Sequence, residues 1–171
     1  EVLANAVRQE AVALGDAWAP AMMDSLVSSI RLWTTRFGEA EELSRKALQA
    51  FRQLGDRFGA VLTMGPRMRA LVALGRSQEA ERGIEEALAM SESFGELSFP
   101  AMAAAGAAVH MGLGVRSVAI AELAVERTMA MGAEASETRV TLALALCQAG
   151  RADEALILLA QVDRSHPYAA A

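Results

Sequence analysis

Residues 142–155, LALALCQAGRADEA, read as the end of one helix, a turn and the start of another. Leu142 and Leu146 share a helix face, Gly150 supplies the left-handed residue that ends such a helix, and Glu154-Ala155 stand where the next helix begins to pack. The small residue comes five positions after the turn glycine, and the same interval joins Thr35 to Ala40, Gly75 to Ala80 and Gly112 to Ser117. After Ala40, Ala80 and Ser117 a further alanine follows seven residues on, at Ala47, Ala87 and Ala124. Glu39, Glu79 and Glu154 precede the small residue, and Arg116 takes that place in the third unit.

Outward from these turns lies a second set of helix endings: Leu14-Gly15-Asp16, Leu54-Gly55-Asp56, Phe94-Gly95-Glu96 and Met131-Gly132-Ala133. Their glycines are 40, 40 and 37 residues apart. A fixed recurrence of C-cap glycines marks repeated helical units of about 40 residues. The pattern predicts an opening helix to about Leu14, then helix pairs near 18–34 and 37–54, 58–74 and 77–94, 98–111 and 115–131, and 137–149 and 152–163. The chain reads as one repeat domain over 1–171, with repeats at 17–56, 57–96, 97–133 and 134–167. Residues 1–16 align with the second helix of a truncated repeat, so the polypeptide is expected to continue on the N-terminal side. The apolar Val2, Leu3 and Val7 of that helix are then expected to be covered by another chain or left exposed, which makes a homodimer through the repeat ends an alternative assembly.

Composition agrees with an all-α chain that builds its core from alanine and leucine. Of 171 residues, 53% are hydrophobic but only 5% aromatic, and four Pro with 13 Gly exclude a loop-rich or collagenous chain. The formal charge of −5 argues against a phosphate-backbone footprint, so no direct nucleic-acid partner is expected. One cysteine, Cys147, cannot form an internal disulfide, which fits a reducing compartment and a cytoplasmic setting. No signal peptide is visible. Residues 97–115 carry no formal charge over 19 positions, but Pro100, Gly106, Gly112 and Gly114 make a buried helix and turn the better reading than a membrane span.

The unit resembles the tetratricopeptide repeat. Leu142-Ala143, Leu146, Gly150, Glu154-Ala155, Leu159 and Pro167 stand at that family's spacing. The second repeat keeps Leu71, Gly75, Glu79-Ala80 and Ala87 but has Arg67-Met68 where the family favours a large apolar residue and a small one. The first keeps Val27-Ser28 and Ala40, with Thr35 replacing the turn glycine. The junction Leu54 to Gly59, LGDRFG, also looks like the helical-repeat regions of large bacterial signalling ATPases and transcription activators of the LuxR-type and MalT-like groups. The resemblance implies a right-handed α-solenoid that binds a protein or peptide partner, with no enzymatic role and no cofactor. It also implies an inner face on the first helices: Met22, Ser25 and Trp33; Leu62 and Arg69; Phe99, Met102, Gly106, Val109 and His110; and Val140, Cys147 and Gln148. Such an apolar groove would accept an amphipathic helix or extended segment. A small-ligand sensor is the alternative, with Ala101, Ala103, Ala104, Ala105, Gly106, Ala107 and Ala108 around a hollow.

Motifs for chemistry are sparse. No glycine-lysine phosphate loop occurs, and Gly112-x-Gly114 lacks the remaining glycine and strand of a dinucleotide site. His110 and Cys147 fall short of the three or four ligands of a zinc site, so no metal is expected. The acidic runs Glu39, Glu41, Glu42 and Glu79, Glu81, Glu85, Glu86 read as solvated helix faces. Pro66 falls inside a predicted first helix, where it predicts a kink or a late helix start.

Overall fold

The computed structural model describes residues 2–93 and 98–162, with the backbone alone described at 2, 4 and 5. Described residues form helices α1 (Val2–Ala13), α2 (Trp18–Trp33), α3 (Phe37–Leu54), α4 (Arg57–Ala73), α5 (Ser77–Ser93), α6 (Phe99–Met111), α7 (Val115–Ala130), α8 (Ser136–Gln148) and α9 (Ala152–Leu159). No strand occurs among them. The ending Phe94-Gly95-Glu96, Leu97, Pro167 and the side chain of Val2 lie outside the described residues.

Seven helix ends close by one device. Gly15, Thr35, Gly55, Gly75, Gly112, Gly132 and Gly150 all have φ between 58° and 77°. The amide one residue later reaches back to a carbonyl five positions earlier: Asp16 to Ala11, Arg36 to Arg31, Asp56 to Phe51, Arg76 to Leu71, Leu113 to Ala108, Ala133 to Thr128 and Arg151 to Leu146, at 2.8–3.2 Å. This is the Schellman closure, which satisfies carbonyls that the helix leaves unpaired. Thr35 adopts the left-handed conformation despite its branched side chain.

The small residues that follow the turns are the tightest points of the packing. Ala40, Ala80, Ser117 and Ala155, with Ala47, Ala87 and Ala124, are each at most 1% exposed. Ser117 stands for alanine because its hydroxyl finds a partner, donating to the Ala108 carbonyl at 2.9 Å. On α3 the buried residues Ala40, Ser44, Ala47, Leu48 and Phe51 follow the helical period, so one stripe enters the core and the rest faces water.

The chain divides into two compact units, Glu1–Ala80 and Glu81–Ala171, with the division inside α5. In the first, α2 packs on α1, α3 and α4, and α3 packs on α4. In the second, α6 packs on α7 and α8, α7 on α8, and α8 on α9. Each unit thus repeats one arrangement: a first helix touches its own second helix and the next first helix. The Ser25 and Thr63 hydroxyls join α2 to α4 at 2.9 Å, and Gln148 Nε2 donates across from α8 to the Val109 carbonyl of α6 at 2.9 Å.

The junction between α3 and α4 is the most elaborated turn. Gly55 closes α3, and the Asp56 carboxylate caps α4 by accepting from the Gly59 amide at 3.0 Å. Asp56 also accepts from the Trp18 indole at 2.6 Å, and Trp18 meets the buried Phe51 ring edge-on with centroids 6.4 Å apart.

Three expectations are corrected. Helix α4 starts at Arg57 and runs through Pro66, so the late-start alternative for Pro66 does not hold: the Asp56 cap starts the helix upstream, and buried Met64, Met68 and Leu71 lie on both sides of the proline. Helix α9 ends at Leu159, four residues short of 163, because tight i to i−3 bonds from Gln161 and Val162 close it. Glu41 is buried rather than solvated, drawn in by two arginines described below.

Candidate functional site

In the first unit the inner-face positions lie on α2 and α4. Met22 and Leu62 are half-buried, and Ser25 is buried by its bond to Thr63. Trp33 is 72% exposed. The Arg69 guanidinium lies over the Trp33 ring, 5.2 Å from its centroid, so a cation and an aromatic face from successive first helices meet at the surface. These two residues are 36 apart in sequence and are brought together by the packing of α2 on α4.

In the second unit the positions lie on α6 and α8. Phe99, His110 and Cys147 are exposed, and Met102, Gly106 and Val140 are half-buried. Val109 is buried, with its carbonyl taken by Gln148. The His110 ring donates from Nδ1 to the Gly106 carbonyl at 2.6 Å, which ties the imidazole to its own helix. Among the described residues no three His, Cys, Asp or Glu side chains are grouped to hold a metal ion, and no helix is long and apolar enough to cross a membrane. The alanines of α6 lie close against their neighbours: Ala101, Ala104, Ala105, Ala107 and Ala108 are all buried.

Two features were not recognised in the sequence. The first is a set of arginine-glutamate pairs just past the turns, Arg36 with Glu39, Arg76 with Glu79 and Arg151 with Glu154, at 2.6–2.7 Å. Their signal is an R-x-x-E run starting one residue after the turn. These bonds raise the pKa of Arg76 and Arg151 and lower that of Glu154, the bonded partner being the main cause in each. In the third repeat Leu113 and Arg116 occupy the two places, and Arg116 turns instead to Glu85 and to Glu81, the latter at 2.9 Å.

The second lies at the α3–α4 contact. Glu41 is held between Arg76, at 3.3 Å, and Arg67, at 3.6 Å. Beside them is a depression of about 440 Å³ lined by Arg45, Leu48, Gln49, Arg52, Gln53 and Arg67. The spacing of Arg45, Gln49 and Arg52 on one face of α3 is visible in the sequence, but the approach of Arg67 is not.

No protein-family model, curated protein or solved structure matches this chain.

Proposed function

We propose that the chain is a right-handed α-solenoid of tetratricopeptide-like helix pairs and acts as a non-enzymatic interaction scaffold. The partner is a protein segment, an amphipathic helix or extended peptide, bound on the inner face of the first helices. The observation that carries this reading is the Trp33 and Arg69 pair: a large indole left in water and held against a cation from the next first helix. Aromatic and arginine side chains are the usual anchors of protein contacts. Phe99 supplies a second exposed aromatic at an inner position of the other unit.

A place inside a longer cytoplasmic bacterial signalling or transcription-regulatory protein is part of the same reading. Ile30 is 53% exposed, whereas Ala70, Ala107 and Ala145, at the same distance before their turns, are at most 0% exposed. The apolar Ile30 side chain on α2 is therefore open to a partner.

The test is a photo-crosslinking amino acid placed at Met22 on the inner face and, separately, at Glu42 on the opposite side. A protein captured from Met22 alone is then purified and titrated against the chain. Support is an affinity that falls about tenfold with Trp33→Ala or Arg69→Ala, as for one anchor residue. Capture only from Glu42, or an affinity indifferent to both variants, sinks the reading.

A further inference from the structure

Helix α2 carries an apolar row opposite the buried Ala21, Ser25 and Ser28. Leu26, Ile30 and Trp33 are 51%, 53% and 72% exposed, and the half-buried Met23 continues the row towards the helix start. From Met23 to Trp33 the spacings are three, four and three residues, the period of a coiled-coil seam that presents one knob per turn to a facing helix. Both charges of α2 are turned elsewhere: Asp24 accepts from Arg8 of α1, and Arg31 pairs with Glu39 of α3 at 3.1 Å. The positions flanking the seam, Met22, Val27 and Ser29, are uncharged as well.

The row is symmetric in position. Leu26 and Ile30 stand two residues on either side of Ser28, and Met23 and Trp33 stand five. A second α2 turned end for end about that point sets Leu26 against Ile30 of the other copy. It also sets Met23 against the other Trp33, a thioether on an aromatic ring. A partner of unrelated sequence demands no such symmetry, whereas a two-fold contact does. Charge selects the direction, because each Trp33 ring has the Arg69 guanidinium over it. Parallel helices would bring these two cations together. End for end, the two Trp33 positions lie about 15 Å apart along the seam, beyond the screening length. We infer that a second copy of this chain covers the α2 row, the two helices packing antiparallel about a two-fold axis at Ser28. Two such faces remove on the order of 1,000 Å² from water, the size of a weak, reversible contact. The inference goes beyond the partner reading, with which it shares only Trp33, and is measured on the chain alone.

Sedimentation equilibrium of the 171-residue chain from about 5 μM to about 1 mM tests this, with a reversible monomer–dimer transition expected inside that range. Ile30→Glu, which places a carboxylate in the seam, should weaken the dimer about tenfold or more. Leu3→Glu, on the exposed side of α1, should leave it unchanged. Register is read by disulfide trapping in chains that also carry Cys147→Ser. A mixture of Leu26→Cys and Ile30→Cys chains should form the mixed disulfide faster than either chain forms its own. Circular dichroism checks that each variant folds. A chain that stays monomeric at about 1 mM overturns the proposal, as does a dimer that Ile30→Glu spares or Leu3→Glu dissolves. Disulfides favoured between identical positions overturn it too. Each of these failures leaves the partner reading standing, since that reading is tested by capture at Met22 and titration with the captured protein.

Discussion

Gly59 lies directly beneath the ring of Phe51: a Cβ at position 59 would come 2.5 Å from two atoms of that ring. Phe51 is fully buried, so moving it aside would disturb the core. Glycine is therefore needed here for close approach of α4 to α3. Gly59→Ala should destabilise the chain by about 1–3 kcal/mol through overpacking, lowering the melting temperature by about 2–4 °C per kcal/mol. An unchanged melting temperature would mean that Phe51 can move aside.

Thr35 is the one non-glycine residue with positive φ among the described residues, at 58°. A β-branched residue in the left-handed region is strained, and its hydroxyl only bonds the adjacent Thr34 carbonyl. Thr35→Gly should stabilise the chain by about 1 kcal/mol, and the reverse change Gly75→Thr should cost a similar amount. Urea unfolding of both variants checks this. A loss of stability in Thr35→Gly would show that the threonine side chain contributes more than its strain costs.

What could be read in advance was local. The turn glycines, the stand-in Thr35 and the small residues five positions later report on one helix end and its immediate partner, and each took the expected conformation or burial. Trp33 and Arg69 were each placed on the inner face, but their contact was not read, because it depends on how α2 packs on α4. Glu41 was misread because its neighbours on α3 are exposed acids, while the arginines that draw it inward lie 26 and 35 residues away. The arginine depression was missed for the same reason: two of its three arginines are on α3, and the third comes from α4. Of the two readings of Pro66, the late start failed because a missing amide proton is a local cost, and the Asp56 cap together with buried Met64, Met68 and Leu71 sets where α4 runs.

The Asp56 carboxylate is held below the usual carboxylate range, first by the Gly59 amide and then by the Trp18 indole. A depressed folded pKa means that the stabilisation is present above the unfolded value of about 3.9 and is lost as the pH falls through the folded value. Asp56→Asn keeps a capping side chain but removes the titration. The stability difference between the parent chain and Asp56→Asn should therefore be constant near neutrality and shrink as the pH drops below about 4. Urea melts from pH 6 to about pH 2.5 measure it; a difference that stays flat across that range would place no charge-dependent work on this cap. Asp56→Ala should cost about 1 kcal/mol at neutral pH.

Gly106 sits in the interior of α6, yet a Cβ added there would meet no atom within 4 Å, and its φ is not left-handed. The alanines on either side, Ala105 and Ala107, are buried, so the helix turns its close-packed face away from this position and leaves Gly106 open beside His110. Glycine then contributes nothing to packing while raising the entropy of the unfolded chain. Gly106→Ala should stabilise the protein by about 0.5–1 kcal/mol. Gly106→Leu should fold without an overpacking loss but obstruct anything that docks on this part of α6. Thermal unfolding separates this from the alternative of tight helix packing: a fall in melting temperature for the leucine variant would mean that a neighbour closes over position 106, and the inner face of α6 would then not be open to a partner.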